Sequence, residues 1–224
     1  MLQAIKTVDV GGVNCFLAKT GDGFILIDTS LPSKRFELEK ELASAGCRPG
    51  DLRLIVLTHG DYDHAGNAAY LRDKYGAPVA MHREDSRRVE SGDWSWGFKA
   101  KPDRFSLVFR LVSLFVRPGK FDTFKPDVYV EDGQSLSAYG FAAEVLHLPG
   151  HTRGSIGILT ANGDLFCGDL LDNLFRKPQL QFFINDLAAA NASVERLKRL
   201  EGIGTVYPGH GKAFPMELFT RKGR

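Results

Sequence analysis

Through the first 80 residues the apolar positions switch between a two-residue and a helical period. Ile5, Val8 and Val10 run into Gly11-Gly12, Val13, Cys15, Phe16 and Leu17 run into Gly21-Asp22-Gly23, and residues 24–27 end at Asp28 and Thr29. This pattern predicts short strands punctuated by glycine turns. Ser33 is the expected N-cap of a helix carrying Leu38, Leu42 and Ala45 inward and stopping at Gly46. Leu54, Ile55, Val56 and Leu57 read as a strand buried on both faces, followed by a helix over about 66–75 and a strand at 77–81. Strands with interposed helices indicate an α/β (α+β) class rather than all-β.

Residues 92–126 interrupt the pattern. Trp94, Trp96 and Phe98 sit among glycines and charges, and 105–116 is a mostly apolar helix candidate with one polar stripe. At ~1.5 Å per residue this helix is too short for a bilayer. It is a core helix, a lid over the site or a homodimer contact. Strands resume at 127–130, 143–148, 155–160 and 164–167; Asn185-Asp186 caps a helix with Leu187, Ala190, Val194 and Leu197 inward, and a last strand lies near 205–207. No linker or internal repeat separates the parts, so a single domain over 1–224 with an insert at 92–126 is expected.

The strand at 54–57 ends at Thr58, and the next six residues contain His59, Asp61, Asp63 and His64. Four metal-competent side chains converging on one short loop favour a metal site over an ordinary polar turn. His151, Asp169 and His210 each end a predicted strand beside a glycine, and their shared position raises them above loop residues. Cys167, two residues before Asp169, reads as a buried apolar filler rather than a nucleophile.

Composition adds exclusions. With 29 basic and 27 acidic residues among 224, there is no electrostatic footprint for nucleic acid. No apolar run reaches the length of a membrane span, and the N-terminus does not resemble a signal peptide. Three scattered cysteines suggest no disulfide framework, so a reducing cytoplasm is the expected home.

The motifs T-H-G-D-Y-D-H-A-G-N at 58–67, L-P-G-H-T-R-G-S at 148–155, F-C-G-D at 166–169 and Y-P-G-H-G at 207–211, with the I-L-I-D-T-S strand at 25–30, resemble those of the metallo-β-lactamase-fold hydrolase superfamily. The resemblance implies a four-layer αβ/βα sandwich with a dinuclear metal site along one edge of its sheets. It implies one metal site from His59, Asp61 and His151, a second from Asp63, His64 and His210, and Asp169 bridging both. Asp28 matches an acidic residue that supports the metal loop through hydrogen bonds, and His147 is a supporting or structural residue. Two divalent ions are implied, zinc being favoured.

Position 61 departs from the family pattern H-x-H-x-D-H, because this chain reads H-x-D-x-D-H. A third carboxylate would neutralise the centre, acidify its water less and tilt preference toward iron or manganese. The expected reaction is hydrolysis of an ester, thioester or lactone of a small-molecule substrate by a metal-bound hydroxide, with Asp63 orienting it. The alternatives are a phosphodiesterase, or non-haem iron oxygen or sulfur chemistry at the two-histidine, one-carboxylate set of His59, Asp61 and His151. A non-catalytic metal-binding or ligand-binding protein is a third reading.

Overall fold

The computed structural model describes residue 2 and residues 4–93, 95–99, 101–105 and 121–220. The first sheet has six strands in the order β1 (Ala4–Asp9), β2 (Asn14–Thr20), β3 (Gly23–Ile27), β4 (Leu52–Val56), β5 (Val79–His82) and β7 (Val128–Val130). The glycine turns make β1, β2 and β3 antiparallel, and the helical crossovers make β3, β4, β5 and β7 parallel. The second sheet runs β15 (Phe214–Pro215), β14 (Thr205–Pro208), β10 (Asp164–Gly168), β9 (Ile156–Thr160) and β8 (Ala143–His147). Two short ribbons complete the set. One pairs β11 (Leu171–Asp172) with β12 (Gln179–Leu180), the other β6 (Arg104–Phe105) with β13 (Phe183–Ile184).

The side-chain alternation along the strands sorts the core into layers. Ile25, Ile27, Leu54 and Val56 point between the sheets, where they meet Val145, Ile156, Ile158 and Phe166. Leu26, Ile55 and Leu57 point the other way, onto Leu38 and Leu42 of helix α1 (Arg35–Ser44) and Leu71. On the far side of the second sheet, Leu148, Leu165 and Val206 pack against Val194 and Leu197. The result is a helix–sheet–sheet–helix arrangement, the four-layer αβ/βα sandwich expected above. Residues 54–57 are fully buried because both their faces are core.

The remaining α-helices among the described residues are α2 (Tyr62–Ala65), α3 (Ala68–Tyr75), α4 (Arg83–Ser91), α5 (Leu187–Arg199) and α6 (Met216–Thr220). Asp186 caps α5, its carboxylate accepting from the Ala189 N–H at 3.0 Å. Ser33 does not cap α1. Pro32, with its fixed φ, starts a 3₁₀ turn over Pro32–Lys34, and α1 continues from Lys34 with no side-chain cap. The helix expected at 66–75 starts at residue 62 and is broken after Ala65. Most of the apolar helix expected at 105–116 lies outside the described residues. No helix among the described residues is long and apolar enough to cross a membrane.

Candidate metal centre

The two sheets bring their carboxyl-end loops to one edge. The loop after β4 supplies His59, Asp61, Asp63 and His64, the loop after β8 supplies His151, Asp169 follows β10 and His210 follows β14. The structure brings all seven side chains together. Candidate ligand atoms within 4.8 Å of one another form three overlapping groups: His59, Asp61 and His151; His59, His64 and Asp169; and Asp63, His64 and His210. Asp169 faces both ends of the cluster. Its Oδ1 is 3.4 Å from His64 Nε2, and its Oδ2 is 3.3 Å from His210 Nε2 and 3.8 Å from His151 Nε2.

All four imidazoles are held by the same ring nitrogen. His151 Nδ1 lies 3.0 Å from the Phe183 carbonyl and His210 Nδ1 lies 2.8 Å from the Gly12 carbonyl. Carbonyls only accept, so Nδ1 carries the proton in both rings. His64 Nδ1 donates to Asp28 Oδ2 at 2.9 Å. The Thr58 hydroxyl donates to the same Oδ2 at 2.7 Å, which leaves its oxygen to accept from His59 Nδ1 at 2.9 Å. Each Nε2 is thereby aimed at the centre. Asp28 acts on His64 and, through Thr58, on His59 from a fully buried position at φ 60, anchored by the Thr58 backbone N–H at 2.8 Å.

Two observations fit this donor set to cations. His59 Nε2, His64 Nε2 and Asp169 Oδ1 are buried and have no hydrogen-bond partner, a costly state for polar atoms that lack another function. The electrostatics also call for positive charge. Burial opposes protonation of His64, yet Asp169, Asp63 and Asp28 outweigh it and push its pKa up to about 9. Burial and the neighbouring His64 push His59 down to about 4. Burial favours a neutral Asp169, but the His210 and His64 imidazoles hold it well below the usual carboxylate range. The same carboxylates would attract a divalent ion, which would bind by displacing protons from the imidazoles.

A family model described as the metallo-beta-lactamase superfamily matches residues 8–210. The chain belongs to that superfamily. Among curated relatives, the hydroxyacylglutathione hydrolase GloC of Haemophilus influenzae is 34% identical over 126 residues, 54% of this chain and half of that protein's own length. The probable metallo-hydrolase YflN of Bacillus subtilis is 29% identical over 205 residues, covering 84% of this chain and 75% of YflN. Among solved structures, TTHA1623 in a di-iron-bound form superposes with a TM-score of 0.71 at 28% identity, covering 98% of both chains. The B3 metallo-beta-lactamase BLEG-1 superposes at 0.71 with 22% identity and 97% of each chain, a likeness of fold.

Within this metallo-beta-lactamase frame, the departure at position 61 has a partner that the sequence did not reveal. Arg88 of α4 is 1% exposed and forms a short ion pair with Asp61 Oδ1 through Nη1. Asp61 Oδ2 faces His151 Nε2 at 3.0 Å and His59 Nε2 at 3.8 Å. Burial pushes the Asp61 carboxyl up, but the Arg88 guanidinium, and then the neighbouring His151 and His59, hold it below its ordinary value. Asp85, one turn earlier on α4, accepts from the Gly60 N–H at 2.9 Å and the Gly154 N–H at 2.8 Å, tying the helix to both ligand loops. Gln181 was also missed; its amide donates to Asp169 Oδ2 at 3.1 Å.

In α4 the sequence R-E-D-S-R-R-V-E-S offers only Val89 as an apolar landmark. The i, i+3, i+4 set of Asp85, Arg88 and Val89 is the one signal that marks its inward face. Phe98 and β6 also reach the site: the Phe98 ring covers Arg88, with the guanidinium carbon 3.9 Å from the ring centroid, and β6 pairs with the strand that supplies the Phe183 carbonyl. His147 lies among other neighbours. It stacks on His82 at 4.2 Å, and its Nε2 lies 2.8 Å from the Arg153 carbonyl. Cys167 is buried.

Proposed function

We propose that this protein is a dinuclear metal-dependent hydrolase of esters, thioesters or lactones. The observation that carries the reading is the set of four imidazoles, each tied at Nδ1, whose Nε2 atoms converge with three carboxylates around unpartnered buried atoms. His59, Asp61 and His151 would hold one divalent ion, Asp63, His64 and His210 the other, with Asp169 between them. Such ions supply an acidified water and Lewis-acid stabilisation of a developing oxyanion. The chain's own residues set the stage for that chemistry. Asp63 is the most accessible of the three carboxylates, its side chain 33% exposed against 15% for Asp61 and 5% for Asp169. A carboxylate on the open side of the cluster is the one placed to orient an incoming water and take its proton.

The inclusion of thioesters draws on the relative named hydroxyacylglutathione hydrolase, of which the alignment covers half. The test is elemental analysis of the native protein beside a panel of ester, thioester, lactone and phosphodiester substrates. Two metal equivalents with turnover of a carbonyl substrate support the proposal; a metal-free active enzyme sinks it. A second reading, iron-dependent oxygen chemistry, draws on the di-iron form of TTHA1623 and on the two-histidine, one-carboxylate group. Oxygen uptake by an iron-loaded preparation given a thiol or persulfide donor, with no hydrolysis, would decide for it.

A further inference from the structure

Arginine is seldom fully buried without a carboxylate to pair with, and Arg88 has one such partner among the described residues, Asp61. We propose that Arg88 is a positioning residue of the metal centre, and that Asp61 and Arg88 together stand where the family pattern has one neutral histidine. This rests on the metal-centre reading above.

The geometry divides the Asp61 carboxylate between two tasks. Oδ1 is taken by the guanidinium, so only Oδ2 is turned toward His59 and His151. A free aspartate could rotate about its terminal bond and present either oxygen or both; the ion pair selects one. Arg88 is itself fixed from several sides. Phe98 covers the guanidinium, and Asp85 holds α4 to the backbone at Gly60 and Gly154. A Cβ added at Gly60 would lie 3.0 Å from both Cβ and Cδ of Arg88, so the arginine stem packs directly on the ligand loop. Charge follows the same logic. Asp61 adds one negative charge to a set that already holds Asp63 and Asp169, and the adjacent guanidinium returns it. The pair is therefore closer in charge to an imidazole than Asp61 alone, and the centre keeps its pull on the proton of a bound water.

Replacing Asp61 by histidine alone should consequently not restore an ordinary site, because it leaves Arg88 buried beside neutral rings and a cation. The experiment compares wild type, Arg88→Met, Arg88→Lys, Asp61→His and the double variant Asp61→His/Arg88→Met. Zinc stoichiometry and chelator-competition affinity are measured with the visible spectrum of the cobalt(II)-loaded protein, and circular dichroism checks the fold. Arg88→Met should lose about tenfold to 100-fold in affinity for one of two zinc ions, with the cobalt spectrum changed. Arg88→Lys should recover part of that loss. The double variant, with no unpaired buried charge, should bind two zinc ions more tightly than either single variant.

Arg88→Met holding both zinc ions with wild-type affinity and spectrum would overturn the proposal, as would a double variant no better than its parents. If Arg88→Met does not fold, the comparison of Asp61→His with the double variant still decides. Wild type that binds no metal at all removes the metal-centre reading, and this inference with it, whereas two zinc ions bound with the same affinity by wild type and by every variant remove the inference alone.

Discussion

Asp28 accepts three hydrogen bonds, from the Thr58 N–H at Oδ1 and from the Thr58 hydroxyl and His64 Nδ1 at Oδ2, and so orients His64 directly and His59 through the Thr58 hydroxyl. Asn tolerates the same left-handed backbone, so Asp28→Asn isolates the carboxylate from the φ of 60. It would place an NH₂ against groups that now donate to position 28. Zinc affinity should fall about tenfold to 100-fold, with a stability loss of about 1–3 kcal/mol by denaturant titration. Unchanged affinity would show that Thr58 and His64 hold their rings without help. The candidate ligands were legible as a group because they sit in short motifs that also carry glycine. Arg88, Asp85 and Gln181 were not, since a buried ion pair across 27 positions leaves no local pattern and Arg88 reads like its exposed-helix neighbour Arg87.

The elements show where small changes in the backbone would reach the site. β14 ends at Pro208, and Gly209 passes so close to the centre that an added Cβ would lie 2.3 Å from Asp169 Oδ1 and 2.7 Å from His64 Cε1. Gly209→Ala must therefore displace the carboxylate or the imidazole. Metal content should drop while the far-ultraviolet circular dichroism stays near wild type, and stability should fall by about 1–3 kcal/mol. At the N-terminus of α4, His82 caps the helix by accepting from the Glu84 N–H and stacks on His147. Burial first, and then His147, push the His82 pKa below its ordinary 6.5 against the opposing pull of Glu131, Asp85 and Glu84. The unfolded chain then binds more protons there than the fold does, so stability present above 6.5 is lost as the pH falls toward the folded value. Between about pH 7 and about pH 5 the Tm of wild type should drop further than that of His82→Asn, which keeps a capping side chain but cannot charge. Parallel melting curves across that range would exclude the effect. The longer strands of the two sheets were readable from their apolar runs, whereas the two-residue strands β6, β11, β12, β13 and β15 were too short to show a period, and the broken helix after residue 61 was hidden because its first turn carries the metal-ligand candidates Asp63 and His64 in place of an apolar stripe.

At the scale of the whole molecule, the candidate ligands come from both sheets. His59, Asp61, Asp63 and His64 follow β4 of the first sheet; His151, Asp169 and His210 follow β8, β10 and β14 of the second. Layering was foreseeable from the family resemblance and from the two-faced burial of residues 54–57, but the strand order was not, because pairing such as β10 with β14 joins segments about 40 residues apart. Between the sheets the contact is apolar and includes the Phe16 and Phe166 rings, with centroids 5.0 Å apart. Ions bound at the edge would join the sheets a second time, through charge rather than apolar packing, and the two joints can be weakened separately. Metal at ~1,000 times its Kd stabilises by ~4 kcal/mol, which for a chain of this size corresponds to roughly 10 °C in Tm. Chelator treatment should lower the Tm by about that amount, and added zinc should restore it. Phe166→Ala should lower the starting Tm by removing core packing worth about 3–5 kcal/mol, yet leave the zinc-dependent increment intact, since Phe166 lies among core residues of the sheet interface and not among the candidate ligands. If the increment vanished with the aromatic ring, the metal would be acting through the core rather than across the edge, and the sheets would have to be treated as one cooperative joint.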